Sequence, residues 1–305
     1  MTETNKKIID LIYQNISMKS IATILNISEK QLYLRIKQII NYGYKLIPSY
    51  SYNSDIYYEI SNIEPSSNSI KICFPKKEPT FKCLVISDLH VGNLYSDLNL
   101  VNYVYEYAVK NDINYIFMCG DNIEGDYTCD KKNIKDVDSQ VETLIKKYPY
   151  DKNIINVMIF GNHDYYGLRN NGLDISSRIK NSRYDMVPIG YGQGNVNIKK
   201  DSFILFHKLH DPSSPKILND EKLVLSGHGH MMKTKIKDQL WICIPTLSHV
   251  STDKTKDVIP GFVELNIDFE KGKFEYVSAK HIIITPKLMV VSESRCKMKS
   301  LSNLK

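Results

Sequence analysis

Apolar positions in this chain repeat at two periods, and the period changes along its length. Between residues 6 and 41 the spacing is helical. Ile8, Ile9, Leu11 and Ile12 form one stripe, Ile21, Ala22, Ile24 and Leu25 a second, and Leu32, Leu34, Ile36, Ile39 and Ile40 a third. Three short helices are predicted. Ser17 is placed to cap the second, and Ser28 followed by Gln31 is a capping-box pattern for the third. Residues 42–47 and 56–60 then alternate as strands on either side of Ser51-Tyr52-Asn53-Ser54-Asp55, a hairpin pattern.

Residues 61–80 carry Pro65, Pro75 and Pro79 among Ser and Lys, which reads as a linker with one candidate strand at 70–74. Beyond it, apolar runs end in polar clusters. Residues 81–87 lead into Asp88-Leu89-His90, 115–119 into Gly120-Asp121, and 154–159 into Phe160-Gly161-Asn162-His163-Asp164. Helical spacing at 98–110, 137–147 and 172–180 separates or follows these runs. Later strands at 202–206 and 222–225 end in His207 and in Ser226-Gly227-His228-Gly229-His230. Residues 239–244 give another strand, and 262–269 with 273–277 flank Glu270-Lys271-Gly272 as a hairpin. The expected architecture over residues 81–285 is a layered α/β domain whose β-rich second half stacks a second sheet on the first. A small helical module occupies 1–60, and the basic stretch 286–305 reads as a solvated tail.

Composition narrows the class only slightly. The 305 residues are 42% hydrophobic and 24% charged, values of an ordinary globular protein. A net charge of +6 permits a polyanionic partner without requiring one. Cys73, Cys83, Cys119, Cys129, Cys243 and Cys296 contain no C-x-x-C pair, which argues against a zinc knuckle or a redox motif. A polar N-terminus and the lack of any apolar run of spanning length predict a cytoplasmic chain without a membrane anchor. Oligomeric state leaves no mark in the sequence.

The chemistry lies in the strand-end groups Asp88, His90, Asp121, Asn162, His163, His207, His228 and His230. Imidazoles and carboxylates with one amide oxygen suit two divalent cations sharing six to eight donors. Manganese is the first choice, with iron, zinc or cobalt as alternatives. Near these groups, His210 competes with His207, which directly ends its strand. Glu124 is either a loop carboxylate or a support for the site. Tyr165, Tyr166, Arg169 and His249 are further candidates for the pocket, and His281 reads as structural.

In order and spacing, D-x-H, G-D, G-N-H-D, a strand-terminal His and G-H-x-H resemble the calcineurin-like metallophosphoesterases over residues 81–285, which implies an α/β fold of two stacked mixed β-sheets flanked by helices. The resemblance implies that Asp88, His90 and His230 bind one metal, that Asn162, His207 and His228 bind the other, and that Asp121 bridges. His163 would protonate the leaving oxygen, and Asp164 would orient His163. Arginines that mark serine/threonine protein phosphatases are missing from Gly120-Asp121-Asn122-Ile123-Glu124-Gly125-Asp126 and from Phe160-Gly161-Asn162-His163-Asp164. The Asn-His-Asp form is shared by phosphodiesterases, small phosphatases and repair exonucleases.

Residues 1–60 resemble a winged helix-turn-helix. That resemblance places the third helix in a DNA groove, with Lys30, Gln31, Tyr33 or Arg35 on bases or phosphates. Seven Lys/Arg against five Asp/Glu in this stretch is a small excess for that task. Three readings follow. The first is a dimetal phosphodiesterase or nuclease that docks DNA through residues 1–60. The second is a small-molecule or nucleotide phosphoesterase whose helices serve assembly or regulation. The third is a DNA-binding regulator with an inactive enzyme domain, which the complete ligand set opposes.

Overall fold

The computed structural model describes residues 1–61, 68–75, 77–126, 132–209, 222–236, 238–251 and 258–298. Three helices open the chain: α1 (Glu3–Tyr13), α2 (Met18–Leu25) and α3 (Glu29–Asn41). Each begins on a hydroxyl side chain, Thr2, Ser17 and Ser28 respectively, that accepts the N–H of Asn5, Ser20 or Gln31, and Ser28 with Gln31 completes the capping box. Such caps contribute about 1 kcal/mol apiece. A hairpin of β1 (Leu46–Ser51) and β2 (Ile56–Ile60) follows.

The chain then alternates through β3 (Ser69–Cys73), β4 (Thr80–Ile86), α4 (Leu100–Lys110), β5 (Tyr115–Cys119), α5 (Val137–Lys147), β6 (Ile155–Phe160), α6 (Asn162–Asn171) and α7 (Ile175–Ser182). The remainder is β-rich: β7 (Met186–Tyr191), β8 (Gln193–Ile198), β9 (Asp201–Phe206), β10 (Leu223–Ser226), β11 (Lys233–Ile236), β12 (Leu240–Cys243), β13 (Gly261–Glu270), β14 (Lys273–Ile284) and β15 (Leu288–Lys297).

Two mixed sheets result. Seven strands run in the order β15-β14-β13-β4-β5-β6-β7, and eight in the order β11-β12-β10-β9-β8-β3-β1-β2. In β5, β6 and the Cys83–Ile86 part of β4 both faces are buried. Cys83, Val85, Tyr115, Phe117, Val157 and Ile159 face the core shared with the other sheet, and Leu84, Ile86, Ile116, Met118, Met158 and Phe160 face the helices. Burial on two sides is why these runs are continuously apolar rather than alternating.

Three expectations change. The stretch 61–80 is more than a linker, because β3 pairs in parallel with both β1 and β8 near the middle of the eight-stranded sheet. Residues 1–60 therefore do not stand apart: the hairpin extends that sheet, and Ile8, Ile21, Leu32 and Ile36 share one apolar cluster with Phe81 and Phe117. Residues 299–305 lie outside the described residues, but the tail from 286 is not frayed as far as Lys297, since β15 pairs along β14 from Leu288 to Lys297. Its alternation was hidden by the charges of Glu293, Arg295 and Lys297, which an edge strand can point to solvent.

Candidate dimetal site

The parallel strands bring the polar clusters to one rim. Asp88 and His90 follow β4, Asp121 follows β5, Asn162 follows β6, His207 follows β9, and His228 and His230 follow β10. β4, β5 and β6 pair in parallel, as do β9 and β10, so these ends gather where layered α/β proteins place their sites. Little space separates the loops. A Cβ built on Gly120, whose φ is +88°, would lie 2.6 Å from His207 Nδ1. Asp88, His90, Asp121, His228 and His230 all have positive φ. At about 1 kcal/mol or more each, this strain is a large share of a typical folding free energy and belongs to function.

Distances define two half-sites. His230 Nε2 lies 3.2 Å and His90 Nε2 3.9 Å from Asp88 Oδ1, and the two imidazole nitrogens are 3.4 Å apart. In the other half, His207 Nε2 is 3.0 Å from Asp121 Oδ2 and 3.1 Å from Asn162 Oδ1, while His228 Nδ1 is 3.0 Å from the same amide oxygen. Asp121 stands between them, with Oδ2 also 4.0 Å from His90 Nε2.

The far ring nitrogens decide what the near ones can do. Nδ1 of His207 faces the Cys119 carbonyl, Nδ1 of His230 the Val250 carbonyl, and Nδ1 of His90 the Glu124 carboxylate. These oxygens only accept, so each neutral ring keeps its proton on Nδ1 and turns a lone pair inward. Lone pairs of His90 and His230 then face each other beside Asp88 Oδ1, a buried oxygen with no hydrogen bond. In the other half, the lone pair of His207 meets two oxygens. Such crowding of donors fits cations and is repulsive without them or an added proton.

Titration reflects that crowding. Burial works against a charged His207, but the Asp121 carboxylate carries its pKa up to about 9. Burial alone would raise Asp121, yet His207 and then His163 hold it well below the usual carboxylate range. Asp88 is likewise lowered against its burial, chiefly by His230.

His163 and Asp164 part company. His163 places a ring nitrogen within 4.8 Å of ligand atoms of His90 and Asp121, and its Nδ1 donates to the Glu124 carbonyl at 2.9 Å. Asp164 does not take the orienting role expected of it. Its carboxylate accepts from the backbone N–H groups of Gly161, Asn122 and Ile123 and from the Asn122 amide. Neighbouring residues on a helix point about 100° apart, so Asp164, in the first turn of α6, folds back on the helix N-terminus instead. Burial, then the Asp121 charge, push its pKa up to about 7 against those hydrogen bonds.

Glu124 takes the supporting place. Its carboxylate lies 3.1 Å from His90 Nδ1 and 3.7 Å from His163 Nδ1, and burial is outweighed by His90 in setting its lowered pKa. The carbonyls of Cys119 and Val250 escaped sequence reasoning because backbone acceptors carry no residue signature. His210 lies outside the described residues. His249 is exposed, and its N–H donates to the Tyr95 carbonyl. His281 is buried between Ser292 Oγ and the Cys243 carbonyl, a structural place. On α6, Tyr165 and Tyr166 are half-buried and Arg169 is exposed.

The candidate DNA contacts lie elsewhere, on α3. Lys30 and Gln31 are exposed, with the Gln31 side chain closing the capping box. Arg35 Nη1 donates to Asn5 Oδ1 at 3.4 Å. The Tyr33 hydroxyl donates to the Lys180 carbonyl, so this side chain turns toward the layered domain.

The calcineurin-like phosphoesterase profile matches residues 81–241. Among solved structures, the chain is similar to vacuolar protein sorting 29 from Cryptosporidium parvum, at 18% identity and a TM-score of 0.43 over 72% of this chain and 100% of that one. It is similar to the phosphoesterase Yfce from E. coli at 15% identity and a TM-score of 0.41, over 70% and 98% of the two chains. GAP50 of Plasmodium aligns at 12% identity with a TM-score of 0.46, over 72% and 89%. No curated protein sequence matches the chain. Among the described residues, no helix is long and apolar enough to cross a membrane.

Proposed function

Because this chain belongs to the calcineurin-like phosphoesterase family and is a metal-dependent phosphoester hydrolase, we propose that its substrate is a nucleic-acid phosphodiester. In this reading residues 1–60 act as a winged helix-turn-helix docking arm. The observation that carries the hydrolase chemistry is the inward convergence of His90, His230 and His207 lone pairs on Asp88, Asp121 and Asn162. Asp88, His90 and His230 would hold one cation, Asn162, His207 and His228 the other, and Asp121 both, with manganese the first metal to try. Such a pair supplies charge for the phosphoryl oxygens and lowers the pKa of water.

The chain's own groups do the rest. Glu124 fixes His90 and His163 together through its side chain and its carbonyl. With Nδ1 donating to that carbonyl, the imidazolium form of His163 would carry its second proton on Nε2 and give it to the leaving oxygen, becoming the neutral ring. Asp164 ties β5 and β6 ends into one rigid turn.

The nucleic-acid half rests on α3, whose exposed Lys30 and Gln31 suit a polyanion. A second reading, a nucleotide or small-molecule phosphoesterase, draws support from Tyr33 being engaged with Lys180. Manganese-loaded full-length protein should cleave bis(p-nitrophenyl) phosphate faster than p-nitrophenyl phosphate and be retained on DNA, with retention falling steeply as salt rises. His163→Ala should lower kcat by about 10²–10⁴-fold with metal content unchanged. Preference for the monoester together with no DNA retention at low salt would hand the case to the second reading.

A further inference from the structure

A second concave site adjoins α3 along Tyr33, Ile36 and Lys37. It is a cavity of about 690 Å³ between α3, the β1–β2 hairpin, β3, the end of α7 and β7. That volume is in the range of small-ligand pockets. Its floor is apolar, with Ile36, Leu46, Ile70 and Ile189, and its ring-bearing walls are Tyr33, Tyr50, Tyr58 and Tyr184. Lys37, Lys71 and Lys180 supply its charge, and none of its described lining residues is an Asp or Glu.

The cation best placed is Lys37. Its Nζ sits 3.0 Å from Asn181 Oδ1 and 4.8 Å from the centre of the Tyr33 ring, an amide oxygen and a π-face rather than a carboxylate. Burial lowers its pKa, the cost of partly desolvating an ammonium without a counter-charge. Aromatic walls and the Lys37 ammonium, held by an amide and a ring rather than a carboxylate, with Lys71 and Lys180 also in the lining, are complementary to one chemistry: a ring system carrying a negative group.

We propose that this cavity binds a small organic anion with an aromatic body, its rings among the tyrosines and its charge at Lys37, Lys71 and Lys180. The site is independent of which phosphoester the histidine cluster cleaves. It joins α3 to β7, and β7 pairs with β6, the strand that delivers Asn162 and His163. A ligand held there would therefore touch both the N-terminal helices and the sheet behind the metal ligands.

The probe is 1-anilinonaphthalene-8-sulfonate, titrated by fluorescence into the metal-loaded full chain. N-phenyl-1-naphthylamine, nearly the same ring system without the sulfonate, is the uncharged control. One saturable site is expected, and it should resist displacement by a tenfold excess of inorganic phosphate, which lacks the rings. The Lys37→Gln/Lys71→Gln/Lys180→Gln variant should weaken sulfonate binding about tenfold or more, the size of a lost charge-assisted contact, and leave the uncharged probe unmoved. Hydrolysis of bis(p-nitrophenyl) phosphate, too small to need α3, should not change in that variant, which serves as the check on folding. Should the triple change unfold the chain, Lys37→Gln alone is expected to weaken sulfonate binding about threefold. The inference is overturned if no saturable signal appears, if the lysine variants bind the sulfonate as tightly as the parent, or if both probes bind equally.

Discussion

Asp121 and His207 show how one residue pair sets the behaviour of the site. They meet at 3.0 Å, both buried, and the only ways to relieve the contact between ring lone pair and carboxylate are a proton or a cation. Without cations the proton wins, which is why His207 titrates near 9 rather than near 6.5. A raised folded pKa means that the stabilisation from this pair is complete below 6.5 and lost as pH rises through about 9. The cation competes with that proton. Metal binding at pH 7.5 should therefore release about one proton from His207, and apparent affinity should climb with pH up to about 9 before levelling. Calorimetric titrations in two buffers of different ionisation heat measure the released proton, and a buffer-independent heat would contradict this account. The same scale explains what the sequence disclosed. The gathering of Asp88, His90, Asp121, Asn162, His207, His228 and His230 was legible because each follows a buried apolar run, and the fold needed only to bring those ends together. The partners of Asp164 were not legible, because helix geometry after Gly161 points it away from its neighbour His163.

At the scale of elements, legibility followed burial. Strands buried on both faces, β5, β6 and the Cys83–Ile86 part of β4, stand out as apolar runs, and capped helices such as α3 carry their own punctuation. Strands β7 and β8 did not, because Pro188, Gly190, Gly194 and alternating Asn residues break their pattern while sheet neighbours supply the order. β15 is the other case. It ends the seven-stranded sheet with Leu288, Met289, Val290 and Val291 exposed by 37%, 53%, 53% and 45%. Four consecutive exposed apolar residues on a sheet edge invite pairing with another chain. Val290→Lys should reduce concentration-dependent association, read by light scattering, and change stability by no more than about 0.5 kcal/mol. Unchanged scattering would show that the edge is already protected.

For the whole molecule, the question is how far the N-terminal helices are a separable arm. A module tethered by a linker would lose its own function on deletion and leave the hydrolase intact. The packing here says otherwise. β1 hydrogen-bonds to β3, β3 to β8, and the helices bury Ile8, Ile12, Ile21, Leu32, Ile36 and Ile39 in the same apolar cluster that holds Phe81, Phe117 and Phe203. Each of those isoleucine and leucine side chains is worth about 1.5–3 kcal/mol when fully buried, so their joint removal, roughly 9–18 kcal/mol, matches the whole 5–15 kcal/mol that a typical domain has to lose. Heat should thus unfold the intact chain in one transition, with calorimetric and van't Hoff enthalpies in agreement. A chain beginning at residue 68 should fail to fold as a soluble species, losing phosphoester hydrolysis together with any hold on DNA. Two resolved transitions, or a truncated chain that keeps full activity on bis(p-nitrophenyl) phosphate, would show instead that the shared cluster is incidental and the helices are an appended arm.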